Sequence, residues 1–290
     1  MFHGYWVAVV TPFRHGRVDI ASFERYIATL IEGSVQGLVV SGSTGEALAL
    51  TREERAQLMK AATHQADGRI PVAAGVIAAT TQEAVQQAQE AEKHEVTALL
   101  VVAPFYVKPS MEGLISHFRA IHEATSLPII LYNNPARTGI DIDFTLLERL
   151  TQLPRIVALK ESSHHFARFS SWRTRLRKDF AFLAGDDDVA PAFLALGGQG
   201  VISVTANVAP KLCTAFYNAW VGADLEAFAR LRDRLAPLHK VLFVEPSPGP
   251  TKYALSTMGL IREEVRPPLL PLTDFGQMAV RRVLQDLRGE

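Results

Sequence analysis

Eight short apolar runs, each followed by a stretch of helical spacing, constrain this chain of 290 residues more than any other feature. They are Tyr5–Val10, Gly37–Val40, Pro71–Val76, Ala98–Val102, Pro128–Tyr132, Arg155–Lys160, Phe180–Ala184 and Gly200–Val204. Valine, isoleucine and leucine fill them without the alternation of a strand that has one wet face. Strands buried on both faces of a parallel sheet read this way. Between them lie "TREERAQLMKAATHQA" at 51–66, "TQEAVQQAQEAEKH" at 81–94, "MEGLISHFRAIHEA" at 111–124 and "DFTLLERL" at 143–150. Thr51 stands at a cap position with Glu54 three residues later, the spacing of a capping box. The eightfold alternation predicts an α/β fold, a (β/α)8 TIM barrel over residues 1–205. A doubly wound sheet is the competing architecture. The turn after the first run, "TPFRHG", lacks the glycine fingerprint such a fold uses for dinucleotides.

Residues 206–290 read as a C-terminal helical extension packed on the barrel, with Gly222 breaking one helix from the next. Thirty basic and thirty acidic residues cancel, which gives no reason to expect a nucleic-acid or anionic-membrane partner. Cys213 is the sole cysteine, so no internal disulfide can form. The start, "MFHGYWVAVVTPF", lacks the pattern of a secretory signal, and no apolar stretch is long enough to span a bilayer. A cytoplasmic protein is expected.

In a barrel, chemistry gathers at the C-terminal ends of the strands. The unusual residues fall there in series: Ser43 and Thr44 in "SGSTGEA", Tyr106 in "APFYVKP", Tyr132, Lys160 and Gly185. Lys160 is the centre. Desolvation favours the neutral form of a buried lysine, and a neutral amine can attack a ketone to form an imine that acts as an electron sink. The plainer alternative is an ion pair with a strand-end carboxylate such as Glu161. Tyr132, on the neighbouring strand, could pass protons to and from the imine, with Ser43 and Thr44 extending the path. Otherwise Tyr132 is an aromatic plug. The glycine-flanked turn could offer backbone N–H groups to a carboxylate. Arg137, in the loop beyond Tyr132, is either a carboxylate clamp or a surface arginine. "GDDDVA" at 185–190 reads as a cap for the helix that follows it, since three adjacent aspartates cannot all face one ion. His164 and His165 lack partners at metal-ligand spacing, so no metal is expected. Cys213 lies in an apolar helical segment and reads as core.

These residues closely resemble the dihydrodipicolinate synthase and N-acetylneuraminate lyase family of pyruvate-dependent aldolases. The resemblance rests on "TPF" at 11–13, "GSTGE" at 42–46, "PFYVKP" at 104–109, "YNNPARTG" at 132–139, "KESS" at 160–163, "AGDD" at 184–187 and "SVTANV" at 203–208, and it covers nearly the whole chain. It implies that Lys160 forms a covalent imine with pyruvate, needing no other cofactor, and that Tyr132 is the central proton-transfer residue. Ser43 stands where synthases usually carry threonine and keeps the hydroxyl. The N–H groups of Ser43 and Thr44 match the pyruvate carboxylate site, while Gly185 and Ile202 border the bound intermediate. Tyr106 matches a tyrosine that a neighbouring subunit contributes across a tight dimer, and a homotetramer built from such dimers is expected.

Within the family, Ser43 leans towards the lyases, but Arg137 argues harder for the synthase branch. There the matching arginine holds the carboxylate of L-aspartate 4-semialdehyde, whereas sialate lyases carry an uncharged residue. The resemblance therefore implies condensation of pyruvate with that semialdehyde to 4-hydroxy-tetrahydrodipicolinate. Another family aldolase or dehydratase is the alternative, and a catalytically silent binding barrel the non-enzymatic one. Feedback-regulated relatives bind lysine at the tight-dimer interface through polar residues. Here the matching places hold Ala47, Leu48, Arg52, Arg55, Ala79 and Phe105, with Glu83 alone keeping its carboxylate. Weak or absent lysine inhibition is expected.

Overall fold

The computed structural model describes residues 2–165 and 167–289. Eight parallel strands close into a barrel: β1 (Gly4–Ala8), β2 (Gly37–Val40), β3 (Val72–Val76), β4 (Ala98–Val102), β5 (Ile129–Asn133), β6 (Ile156–Glu161), β7 (Ala181–Ala184) and β8 (Gly200–Ser203). β8 pairs with β1, so no edge is left open. A helix follows each strand: α1 (Ile20–Glu32), α2 (Arg52–Ala66), α3 (Thr81–Glu92), α4 (Met111–Ala124), α5 (Phe144–Leu150), α6 (Ala167–Arg175), α7 (Ala190–Ala195) and α8 (Pro210–Val221). α9 (Leu225–Val241), α10 (Gly249–Thr257) and α11 (Asp274–Arg288) form the C-terminal extension. Gly222 ends α8, as its position in the sequence suggests.

The expected capping box is present. Thr51 Oγ1 accepts from the Glu54 N–H at 3.2 Å, and the Glu54 carboxylate accepts from the Thr51 N–H at 3.0 Å. Two of the helix's orphan donors are thereby satisfied.

Alternate residues of each strand point to opposite sides, so the barrel carries two apolar layers. Trp6, Val39, Leu100, Ile130, Leu183 and Ile202 pack inside the barrel, while Tyr5, Val7, Leu38 and Leu131 pack outward against the helices. The fully buried Trp6 fills its inner position only because residue 37 is glycine: a Cβ there would lie 2.4 Å from the indole.

Two strands run one residue further than their apolar runs indicate, ending at Asn133 and Glu161 rather than at Tyr132 and Lys160. These polar residues are ladder partners with outward side chains, and Asn133 Nδ2 donates to both Glu161 carboxylate oxygens at 3.1 Å. Arg168 on α6 donates to the same carboxylate at 3.0 Å and to Asp141 at 2.6 Å. Glu161 is thus committed between the barrel and α6. No ion pair joins it to Lys160 among the described residues, which removes the plainer reading of that lysine.

Candidate active site

Lys160 and Tyr132 are direct neighbours in the β5–β6 register. Both belong to the inward set, and both are buried. The Lys160 Nζ lies 4.1 Å from the centroid of the Tyr132 ring. No carboxylate pairs with Lys160 among the described residues. Asp186 lies just beyond β7; burial pushes its carboxyl above the usual range, while Lys160 and His164 hold it down.

A cleft of about 470 Å³ opens above the barrel, lined by Ser43, Tyr132, Arg137, Asn134, Phe105 and Arg266 among others. Three expected site residues, Ser43, Tyr132 and Arg137, therefore share one cavity. Lys160 sits against the ring of Tyr132 rather than on that lining.

Asn134, which the motif reading passed over, organises this corner. Its Nδ2 donates to the Tyr132 hydroxyl oxygen at 2.8 Å, and its Oδ1 accepts from the Arg137 N–H at 3.2 Å. That second bond caps the short helix Pro135–Thr138, on which Arg137 rides, exposed at the cleft mouth. Because the phenol oxygen accepts from Asn134, its own proton is free to be given elsewhere. An asparagine directly before a proline at a helix start was the available clue.

The turn after β2 holds Ser43 and Thr44. It closes on its own backbone, Gly45 N–H donating to the Gly42 carbonyl at 3.0 Å and Glu46 N–H to the Ser43 carbonyl at 3.1 Å. The N–H groups of Ser43 and Thr44 have no protein acceptor among the described residues. Adjacent unpaired donors in a tight turn form a seat for an anion.

Gly185 is buried where β7 meets β6, its N–H donating to the Glu161 carbonyl at 2.8 Å. A Cβ there would fall 1.9 Å from the Ser162 Oγ, so a side chain would displace the end of β6. Ile202 is fully buried in the same inner layer as Tyr132. Tyr106 does not join the cleft: it is 91% exposed, with φ of 73°.

The aspartates after Gly185 are not the cap of α7, which has no side-chain cap. Asp187 instead turns to the end of β8, accepting from Ser203 Oγ at 2.6 Å and from the N–H groups of Val204 and Thr205 at 2.8 and 2.9 Å. It caps the next turn of the barrel, a partner remote in sequence. Asp186 Oδ2 meets His164 Nε2 at 3.2 Å, so the neighbouring carboxylates diverge.

A model of the dihydrodipicolinate synthetase family matches residues 1–287. The chain belongs to that family. A 4-hydroxy-tetrahydrodipicolinate synthase of Rhodospirillum centenum is 44% identical over 284 residues, covering 98% of each chain. Among solved structures, a dihydrodipicolinate synthase from Acinetobacter baumannii complexed with pyruvate is 38% identical, with a TM-score of 0.96 over 99% of each chain. The corresponding enzyme from Cyanidioschyzon merolae, with lysine bound, is 33% identical, with a TM-score of 0.95 over 99% of this chain and 98% of that one. Three of the residues at the positions expected to correspond to a lysine site are engaged within the chain. Arg52 is paired with Glu90 at 2.5 Å, Arg55 donates to the Leu50 carbonyl at 3.0 Å, and Glu83 accepts from Gln87 at 3.0 Å.

Proposed function

We propose that this enzyme condenses pyruvate with L-aspartate 4-semialdehyde to 4-hydroxy-tetrahydrodipicolinate, a lyase reaction of the Schiff-base type. The observation that carries the reading is Lys160: buried, unclaimed by any carboxylate and held on the face of Tyr132 beside a cleft with an arginine at its mouth.

The pyruvate carboxylate takes the free N–H groups of Ser43 and Thr44, which brings the ketone to Lys160. The neutral amine adds to that carbon, water leaves, and an imine forms. Loss of a methyl proton gives the enamine, which attacks the aldehyde carbon of the semialdehyde. Tyr132, its oxygen fixed by Asn134, delivers and collects the protons, with the Ser43 hydroxyl as the next carrier. The amino group of the added substrate then attacks the former ketone carbon, displaces Lys160 and closes a six-membered ring. Arg137 holds the semialdehyde carboxylate through its guanidinium fork. A polyhydroxylated sugar acid would find no use for that charge.

Tyr106 acts in a second subunit. An exposed tyrosine held at positive φ, followed in the chain by Val107 at 60% exposure, suits a contact between copies of this chain. A tight dimer, paired into a tetramer, would bring the phenol to the partner's cleft.

Supplying pyruvate with the semialdehyde tests the reading: both should be consumed and the cyclic product should appear. N-acetylneuraminate should not be cleaved at a comparable rate. Cleavage of the sugar acid without use of the semialdehyde would assign the chain to another branch.

A further inference from the structure

A second lysine is more deeply buried than Lys160 and has no part in the chemistry above. Lys252, on α10, is wholly shielded from solvent. Its Nζ donates to Glu46 Oε1 at 2.5 Å and to the Glu264 carbonyl at 2.6 Å, and lies 4.0 Å from the centroid of the Phe13 ring. The second Glu46 oxygen accepts from the Arg266 N–H at 2.9 Å. Arg266 stacks on the same ring, 4.3 Å from its centroid, and donates to Glu54 and to the Ala49 carbonyl. The carboxylate of Glu264 is engaged elsewhere, accepting from the N–H groups of His15 and Gly16.

Glu46 is the last residue of the turn that carries Ser43 and Thr44, and its backbone is left-handed, with φ of 56°. That conformation is unfavourable for a residue with a Cβ and persists where surrounding contacts enforce it. Here the enforcing contacts come from the C-terminal extension. A buried ion pair is a weak source of stability compared with apolar packing, so its use here points to geometry. Burial pushes the Lys252 ammonium down to about 8, and Glu46 opposes that fall.

We infer that Lys252 is a positioning residue for the pyruvate site, anchoring Glu46 so that the turn presents the Ser43 and Thr44 N–H groups to the substrate carboxylate. This deepens the proposed function and rests on it. It also gives the extension a role in the reaction: α10 sets the anion seat from outside the cleft.

Lys252→Met and Glu46→Asp test it, the second keeping the charge while drawing the carboxylate back by one methylene. Pyruvate KM should rise about tenfold or more in each, a loss of substrate binding, while the KM for the semialdehyde stays within about twofold of wild type. At saturating pyruvate, borohydride should still trap the adduct on Lys160. A general disturbance of the barrel would move both KM values together and would overturn the positioning role. So would an unchanged pyruvate KM. Should Lys252→Met not fold, Glu46→Asp decides by the same criteria. A wild-type enzyme that borohydride cannot trap would overturn the pyruvate reading itself and this inference with it; trapping with an unmoved pyruvate KM would overturn the inference alone.

Discussion

Tyr132 and Lys160 face each other across the β5–β6 ladder, the Lys160 Nζ lying 4.1 Å from the centroid of the phenol ring. The contact follows from parallel pairing, which puts neighbouring inward residues side by side at the top of the barrel. The phenol oxygen is held from the other side by Asn134, whose second bond caps the helix bearing Arg137. The side chains proposed for proton transfer and for substrate reading are thereby joined through one asparagine.

Arg137→Ala should separate the two substrates. Pyruvate should still form the imine, while kcat/KM for the semialdehyde should fall on the order of 10²-fold, a lost charge-assisted contact of about 2–3 kcal/mol. Stopped-flow or trapping measurements of imine formation beside steady-state kinetics would show this. Loss of both steps would mean that Arg137 organises the cleft.

Tyr106 should act across subunits. Tyr106→Phe alone and Lys160→Ala alone should both be poor enzymes, but subunits mixed under conditions that allow exchange should regain activity. In the mixed dimer one cleft has an intact lysine and receives an intact tyrosine from its neighbour. No recovery despite proven exchange would place Tyr106 in the cleft of its own subunit, and a fully active Tyr106→Phe would place it outside the reaction.

The barrel was readable in the sequence because its strands are buried on both faces and carry little else but apolar residues. Thr51 and Glu54 showed a helix start because a capping box is local. The parts that escaped depend on distance. Asp187 looked like a cap for the helix beside it but serves Val204 and Thr205, and Lys252 reaches Glu46 from the other end of the chain. Asn133, Glu161 and Arg168 form their network only when β5, β6 and α6 are assembled. Charged residues report that a partner is required, not where in the chain it stands.

Free lysine should be a weak inhibitor or none. Its ammonium would find Arg52 and Arg55 where acceptors are needed, and Glu83 is already engaged by Gln87. Each missing partner costs a buried charge on the order of 1–3 kcal/mol. A lysine titration of initial rates at near-saturating pyruvate checks this, and strong inhibition below millimolar lysine would contradict it.

His117, on α4 and 2.9 Å from the Thr81 hydroxyl, should weaken the fold in acid. Burial pushes its pKa from 6.5 down to about 4. Between those values the unfolded chain takes a proton that the folded chain refuses. Its contribution is therefore complete above pH 6.5 and is lost as pH falls towards 4. The loss is on the order of 2–3 kcal/mol. Denaturant melts across this range should show a shallower pH slope for His117→Gln. An unchanged slope would assign the acid sensitivity to other groups.

The most direct measurement is covalent. Wild-type enzyme incubated with pyruvate and borohydride should gain the mass of one reduced pyruvate per chain, and peptide mapping should place it on Lys160. Lys160→Ala, still folded, should gain none. An unlabelled wild type, or an adduct on any other lysine, would contradict the account at its centre.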